Sequence, residues 1–61
     1  MEYTQPEDIQ KAAQLAKWLI ETQGVKHKTA YIIAKNKFHI PTYDVIRIKY
    51  QEIKRKQLNL L

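Results

Sequence analysis

One glycine, Gly24, and two prolines, Pro6 and Pro41, are the only strong backbone breakers in this chain of 61 residues. They cut it into three segments, and each segment carries the spacing of a helix. There is no cysteine, so no disulfide can staple the fold, and the cysteine-framework scaffolds are excluded. The redox compartment is left open by that criterion, and the cytoplasm is the expected location. A chain this short buries only roughly 60% of its unfolded surface, so its core must be efficient or shared with a partner. Leu, Ile, Val and Phe together supply 16 of the 61 residues, enough to oppose wholesale disorder. No apolar run approaches the roughly 18 residues that span a bilayer, and the acidic start does not read as a signal peptide. The expected fold class is an all-α, single three-helix domain.

The first helix is expected over about residues 5–23. Thr4-Gln5-Pro6-Glu7 fits a capping box, with Pro6 in the first turn, where its missing N–H costs nothing. Glu7 and Asp8 favour the positive end of the helix dipole. Ile9, Ala12, Ala13, Ala16, Leu19 and Ile20 recur at helical spacing. Gly24 supplies a left-handed cap, with Val25 placed to touch Ile20 in a Schellman arrangement. Leu15, Trp18 and Leu19 widen the apolar coverage well beyond one stripe, leaving only Gln10, Gln14, Lys17 and Glu21 as a clean polar face. A helix this broadly apolar is central to its own fold or half covered by a partner. Trp18 reads first as core, with a partner surface as the alternative.

The second helix is expected over about residues 29–37, with Thr29 as its cap. Tyr31-Ile32-Ile33 also allows a short buried strand, but no hairpin partner with turn chemistry stands nearby. Pro41 bars helical geometry at the residue before it, and Thr42 can cap the next helix. That third helix is expected over about residues 42–57. Ile46 to Tyr50 alternates like a strand, yet Tyr43, Ile46, Tyr50, Ile53 and Gln57 share one helical face over the longer window. Asp44, Arg47, Gln51 and Arg55 share the opposite face.

Charge is segregated along the chain. In residues 1–24, Lys11 and Lys17 stand against Glu2, Glu7, Asp8 and Glu21, a net −2. In residues 25–61, nine cations stand against Asp44 and Glu52, a net +7, and the whole chain carries +5. A field directed this way concentrates polyanions, above all nucleic acid.

The wording around the second break adds a motif. Ile33-Ala34, then Phe38, His39 and Ile40-Pro41, then Thr42-Tyr43-Asp44-Val45-Ile46-Arg47-Ile48 resembles the helix-turn-helix pattern. In that pattern an Ile-Ala pair, a large apolar residue, a turn residue and Ile-Pro precede a capped recognition helix. The resemblance spans residues 29–50 and is to the superfamily. One extra residue separates Ala34 from Phe38, and His39 stands where glycine is usual. The resemblance implies a protein that binds double-stranded DNA with its third helix, as a small transcriptional regulator or accessory factor.

The outward side chains of such a helix meet base edges in the major groove. Here these are Thr42, Asp44, Arg47, Ile48 and Gln51. Arg47 suits guanine, Gln51 adenine and Ile48 a thymine methyl, while Asp44 can accept from cytosine or orient Arg47. Thr42, at the helix start, also suits phosphate. Lys26, Lys28, Lys35, Lys37, Lys49, Lys54, Arg55 and Lys56 are the candidate phosphate contacts. Leu15, Trp18 and Leu19 are the candidate surface for a homodimer or another partner. The competing reading is a protein-interaction module, an inhibitor or accessory subunit, that uses Trp18 and Leu15 with a basic face on an acidic partner. An RNA-binding three-helix module would use the same charges.

Tyr31, Tyr43 and Tyr50 read as core or rim packing rather than stacking platforms. His27 and His39 have no ligand-spaced companions, so no metal and no cofactor is expected. His39 reads as a structural or phosphate-contacting turn residue. No nucleophile stands beside a base and no glycine-rich loop is present, so the chain is not expected to be an enzyme.

Overall fold

The computed structural model describes residues 5–59 and consists of three helices: α1 (Pro6–Gln23), α2 (His27–Lys37) and α3 (Asp44–Asn59). The strand alternatives at 31–33 and 46–50 are both helical. None of these helices is long and apolar enough to cross a membrane.

The helix ends explain most of the shifted boundaries. Gln5 is the N-cap of α1, in extended geometry and without a side-chain hydrogen bond. Its carbonyl accepts from the Asp8 and Ile9 N–H groups at 3.0 and 3.2 Å. The expected capping box rests on Thr4, which lies outside the described residues, as do Leu60 and Leu61 of the apolar tail. Gly24 is left-handed at φ 67, and Val25 N–H donates to the Leu19 carbonyl at 3.1 Å, one residue wider than a standard Schellman closure.

The second helix begins two residues earlier than expected, at His27, with Lys26 as N-cap. Thr29 is therefore inside the first turn and is not a cap. Ala30 N–H donates to the Lys26 carbonyl at 2.9 Å, which closes that turn. Helix α3 starts at Asp44 rather than 42 and runs to Asn59. Thr42 still serves the start from outside, because its Oγ1 accepts from the Asp44 N–H at 3.3 Å.

The connection from α2 to α3 is six residues, Phe38 to Tyr43, longer than the three or four of an ordinary helix-turn-helix turn. His39 occupies it at φ 55, the only left-handed non-glycine residue described. The Ile40 N–H donates to the Lys35 carbonyl at 2.9 Å, and the His39 N–H to the Asn36 carbonyl at 3.4 Å. This pair of bonds is a complete Schellman motif with His39 in the position glycine normally takes. Ile40, just beyond, is buried in the core, the apolar contact that accompanies such caps.

Helix α1 is the hub, against which both α2 and α3 pack more extensively than they pack on each other. Ala12, Ala13 and Ala16 of α1 and Ala30 and Ala34 of α2 have no exposed surface. Side chains this small let helix backbones approach closely. The bulk of the core comes from Tyr31, Ile40, Ile46 and Tyr50, and Ile46 is the largest side chain with no exposure. Pro6 and Ile9 lie beside Val45 and Ile48, whereas Trp18 and Thr22 lie beside Ile53 and Gln57. Helices α1 and α3 therefore run in the same direction. Tyr31 of α2 meets Tyr50 of α3 edge-on at 5.9 Å and stacks on Tyr43 of the turn with centroids 6.2 Å apart.

The expectation that Trp18 belongs to the core is overturned. Its side chain is 52% exposed because, at about 100° per residue, position 18 lies nearly opposite the Ala12–Ala13–Ala16 stripe. Leu15 and Leu19 do pack against the core. Ile32 and Ile33 point outward from α2 for the same angular reason, since Ala30, Tyr31 and Ala34 take the buried face.

The left-handed cap and the buried tyrosine are each open to measurement. Replacing His39 by glycine removes a left-handed penalty of about 1–2 kcal/mol and adds about 0.5–1 kcal/mol of unfolded-state entropy. His39→Gly should accordingly raise stability in urea melts by a few tenths to about 1 kcal/mol, and His39→Val should lower it; loss of stability in His39→Gly would refute the strained cap. Burial raises the Tyr31 phenol above its ordinary value, with the Tyr50 phenol adding to the shift. The unfolded chain then loses this proton first. The contribution is complete below about pH 10 and is lost as pH rises through the folded-state value. Tyr31→Phe should flatten that alkaline decline in thermal melts.

Candidate nucleic-acid interface

Helix α3 buries Ile46 and Tyr50 and packs Ile53 against the core. The 3.6-residue repeat then turns Asp44, Arg47, Ile48, Gln51 and Arg55 outward, and all five are exposed. Ile48 is 49% exposed, which is unusual for a large aliphatic side chain in a fold this short of core. The Arg47 guanidinium lies 3.8 Å from the Asp44 carboxylate, one helical turn away. Both remain largely in solvent, so the pair restrains Arg47 without consuming it. Thr42 is also exposed but is engaged by the Asp44 N–H. The five candidate base-reading residues thus share one strip and its leading end.

The candidate phosphate contacts divide into groups. Lys26 and Lys28 flank His27, whose ring lies 5.8 Å from that of Tyr50. That contact holds the first turn of α2 against the middle of α3. Lys35 and Lys37 stand at the other end of α2, near the turn, and Lys35 Nζ donates to Asn36 Oδ1 at 3.3 Å. Arg55 and Lys56 are exposed on the second half of α3. None of these six cations is in an ion pair among the described residues.

Lys49 and Lys54 differ. Lys49 pairs with Glu52 at 3.6 Å, and Lys54 pairs with Glu21 at 3.2 Å, tying α3 to α1. Lys17 reaches the same carboxylate at 3.2 Å. Hydrogen bonds from Lys17 and Lys54 hold the Glu21 carboxyl below its ordinary value. Exposed pairs of this kind contribute little, so a phosphate can displace them.

Leu15, Trp18 and Leu19 do not form one surface. The two leucines close the core, while Trp18 stands in a separate groove with Gln14, Lys17, Ile53 and Gln57. His27 is absent from the candidate contacts that the sequence offers, because position 27 reads there as a connection. Its spacing of four from Tyr31, the reach of one helical turn, is the signal that could have found it. No protein-family model, curated protein or solved structure matches this chain.

Proposed function

We propose that this protein binds double-stranded DNA by laying α3 in the major groove in the manner of a helix-turn-helix domain, acting as a small regulator or accessory factor. The observation that carries the reading is the convergence of Arg47, Gln51 and Ile48 on one exposed strip of a single helix. Arginine and glutamine make bidentate contacts to guanine and adenine, and an aliphatic side chain packs on the thymine methyl. Lys26 and Lys28 flank His27, which adjoins the strip from α2, and Arg55 extends the positive charge along it, where phosphates beside a groove would lie. The turn is longer than usual, and the outer strip of α3 is exposed.

If the six cations outside ion pairs all meet phosphate, the logarithm of affinity should fall against the logarithm of salt with a slope near roughly −5. Lys56→Ala should reduce that slope by about one and weaken all duplexes alike. Arg47→Ala should cost about 1–3 kcal/mol on a preferred duplex and relax the preference. Duplex titrations at two salt concentrations, with specific and scrambled competitors, check all three. An Arg47→Ala protein with unchanged affinity and selectivity would sink the proposal.

The exposed Trp18 supports a second element, association of two copies through α1. Residues 1–24 carry a net −2, so pairing through α1 brings together the less basic part of each copy. A pair would also double the phosphate contacts of one small module. Sedimentation at micromolar concentration should show a dimer that Trp18→Ala converts to monomer with its helical circular dichroism intact; monomer alone in the parent protein rules the pairing out. Capture of an acidic protein that depends on Trp18, with no effect of Arg47→Ala on any duplex, would favour the interaction-module reading instead.

A further inference from the structure

The start of α2, the end of α1 and the second half of α3 border an open groove of about 600 Å³, within the volume range of small-ligand sites. Its lining is of two kinds. Tyr31 and Tyr50 are almost fully buried and brace the His27 imidazole edge-on, with centroids 6.3 and 5.8 Å away. His27 itself is exposed on the groove. On the opposite wall stand Gln51, Lys54 and Arg55. The one acid in the lining, Glu21, is already held by Lys17 and Lys54, so the groove offers an anion no unopposed carboxylate.

We propose that this groove binds a free mononucleotide, with the base against His27 and the phosphate between Lys54 and Arg55. A supported aromatic ring in a groove that also holds two cations suits a ligand that is planar at one end and anionic at the other. The Gln51 amide carries both a donor and an acceptor, the combination that base edges present. Inorganic phosphate would use the cations and leave the ring unused. Gln51 and Arg55 also belong to the outer strip of α3, so nucleotide and duplex compete for them and nucleotide level tunes duplex affinity. Nucleotide binding itself stands independently of the duplex reading.

The test is a titration of the intact chain with adenosine 5′-monophosphate, adenosine and inorganic phosphate, followed by amide and imidazole chemical shifts. The monophosphate should saturate with shifts at His27 and Gln51, and at least tenfold tighter than phosphate. Arg55→Ala, at an exposed position, should weaken it about tenfold with the fold intact, and His27→Ala should do so by a similar factor. Equal affinity for phosphate and the monophosphate with the same shift pattern would overturn the proposal, as would the absence of saturation. Duplex affinity measured with and without saturating monophosphate separates the two readings. Nucleotide binding without duplex binding removes the DNA proposal alone, and duplex binding without nucleotide binding removes this one alone.

Discussion

Close approach of helices across an alanine seam is the constraint on which the rest of this structure depends. A chain of 61 residues has too little interior for three bulky apolar faces to meet. Ala12, Ala13, Ala16, Ala30 and Ala34, all without exposure, bring α1 and α2 together without occupying that interior. Each alanine also fixes a helix at little side-chain entropy cost. The volume saved is filled by Ile46 and the tyrosine rings, which are the means by which α2 and α3 hold one another.

That economy has a functional consequence. The tyrosines that couple α2 to α3 also set His27 and its neighbouring lysines beside the middle of α3. His27 at the start of α2 and Gln51, Lys54 and Arg55 of α3 therefore line one groove over an aromatic core. The Glu21 carboxylate bridges Lys17 and Lys54, so the acidic half of the chain meets the basic half at that point.

The α2–α3 turn shows how a non-glycine residue can close a helix. His39 takes a left-handed conformation that glycine adopts without strain. It holds because Ile40 is anchored in the core and two backbone bonds close the cap. The strain is small beside the burial of Ile40, so the substitution is tolerated and the turn survives.

Helix number, the stop at Gly24, the outward strip of α3 and the segregation of charge were all legible from the amino acids, because each arises from a 3.6-residue period or from one residue's own backbone preference. The start of α2 was not, since Lys26 and His27 have no capping signature and His27 is held by the Tyr31 ring of its own helix and the Tyr50 ring of α3. Nor was the fate of Trp18: a wide apolar helix has more than one face that could turn inward, and only packing against α2 and α3 selected the alanines. The pairing of Lys54 with Glu21 likewise joins residues 33 positions apart, a proximity that exists only once α1 and α3 lie side by side. Local periodicity determined what each segment is; the competition among faces for a small interior decided which side chains remained available to a partner.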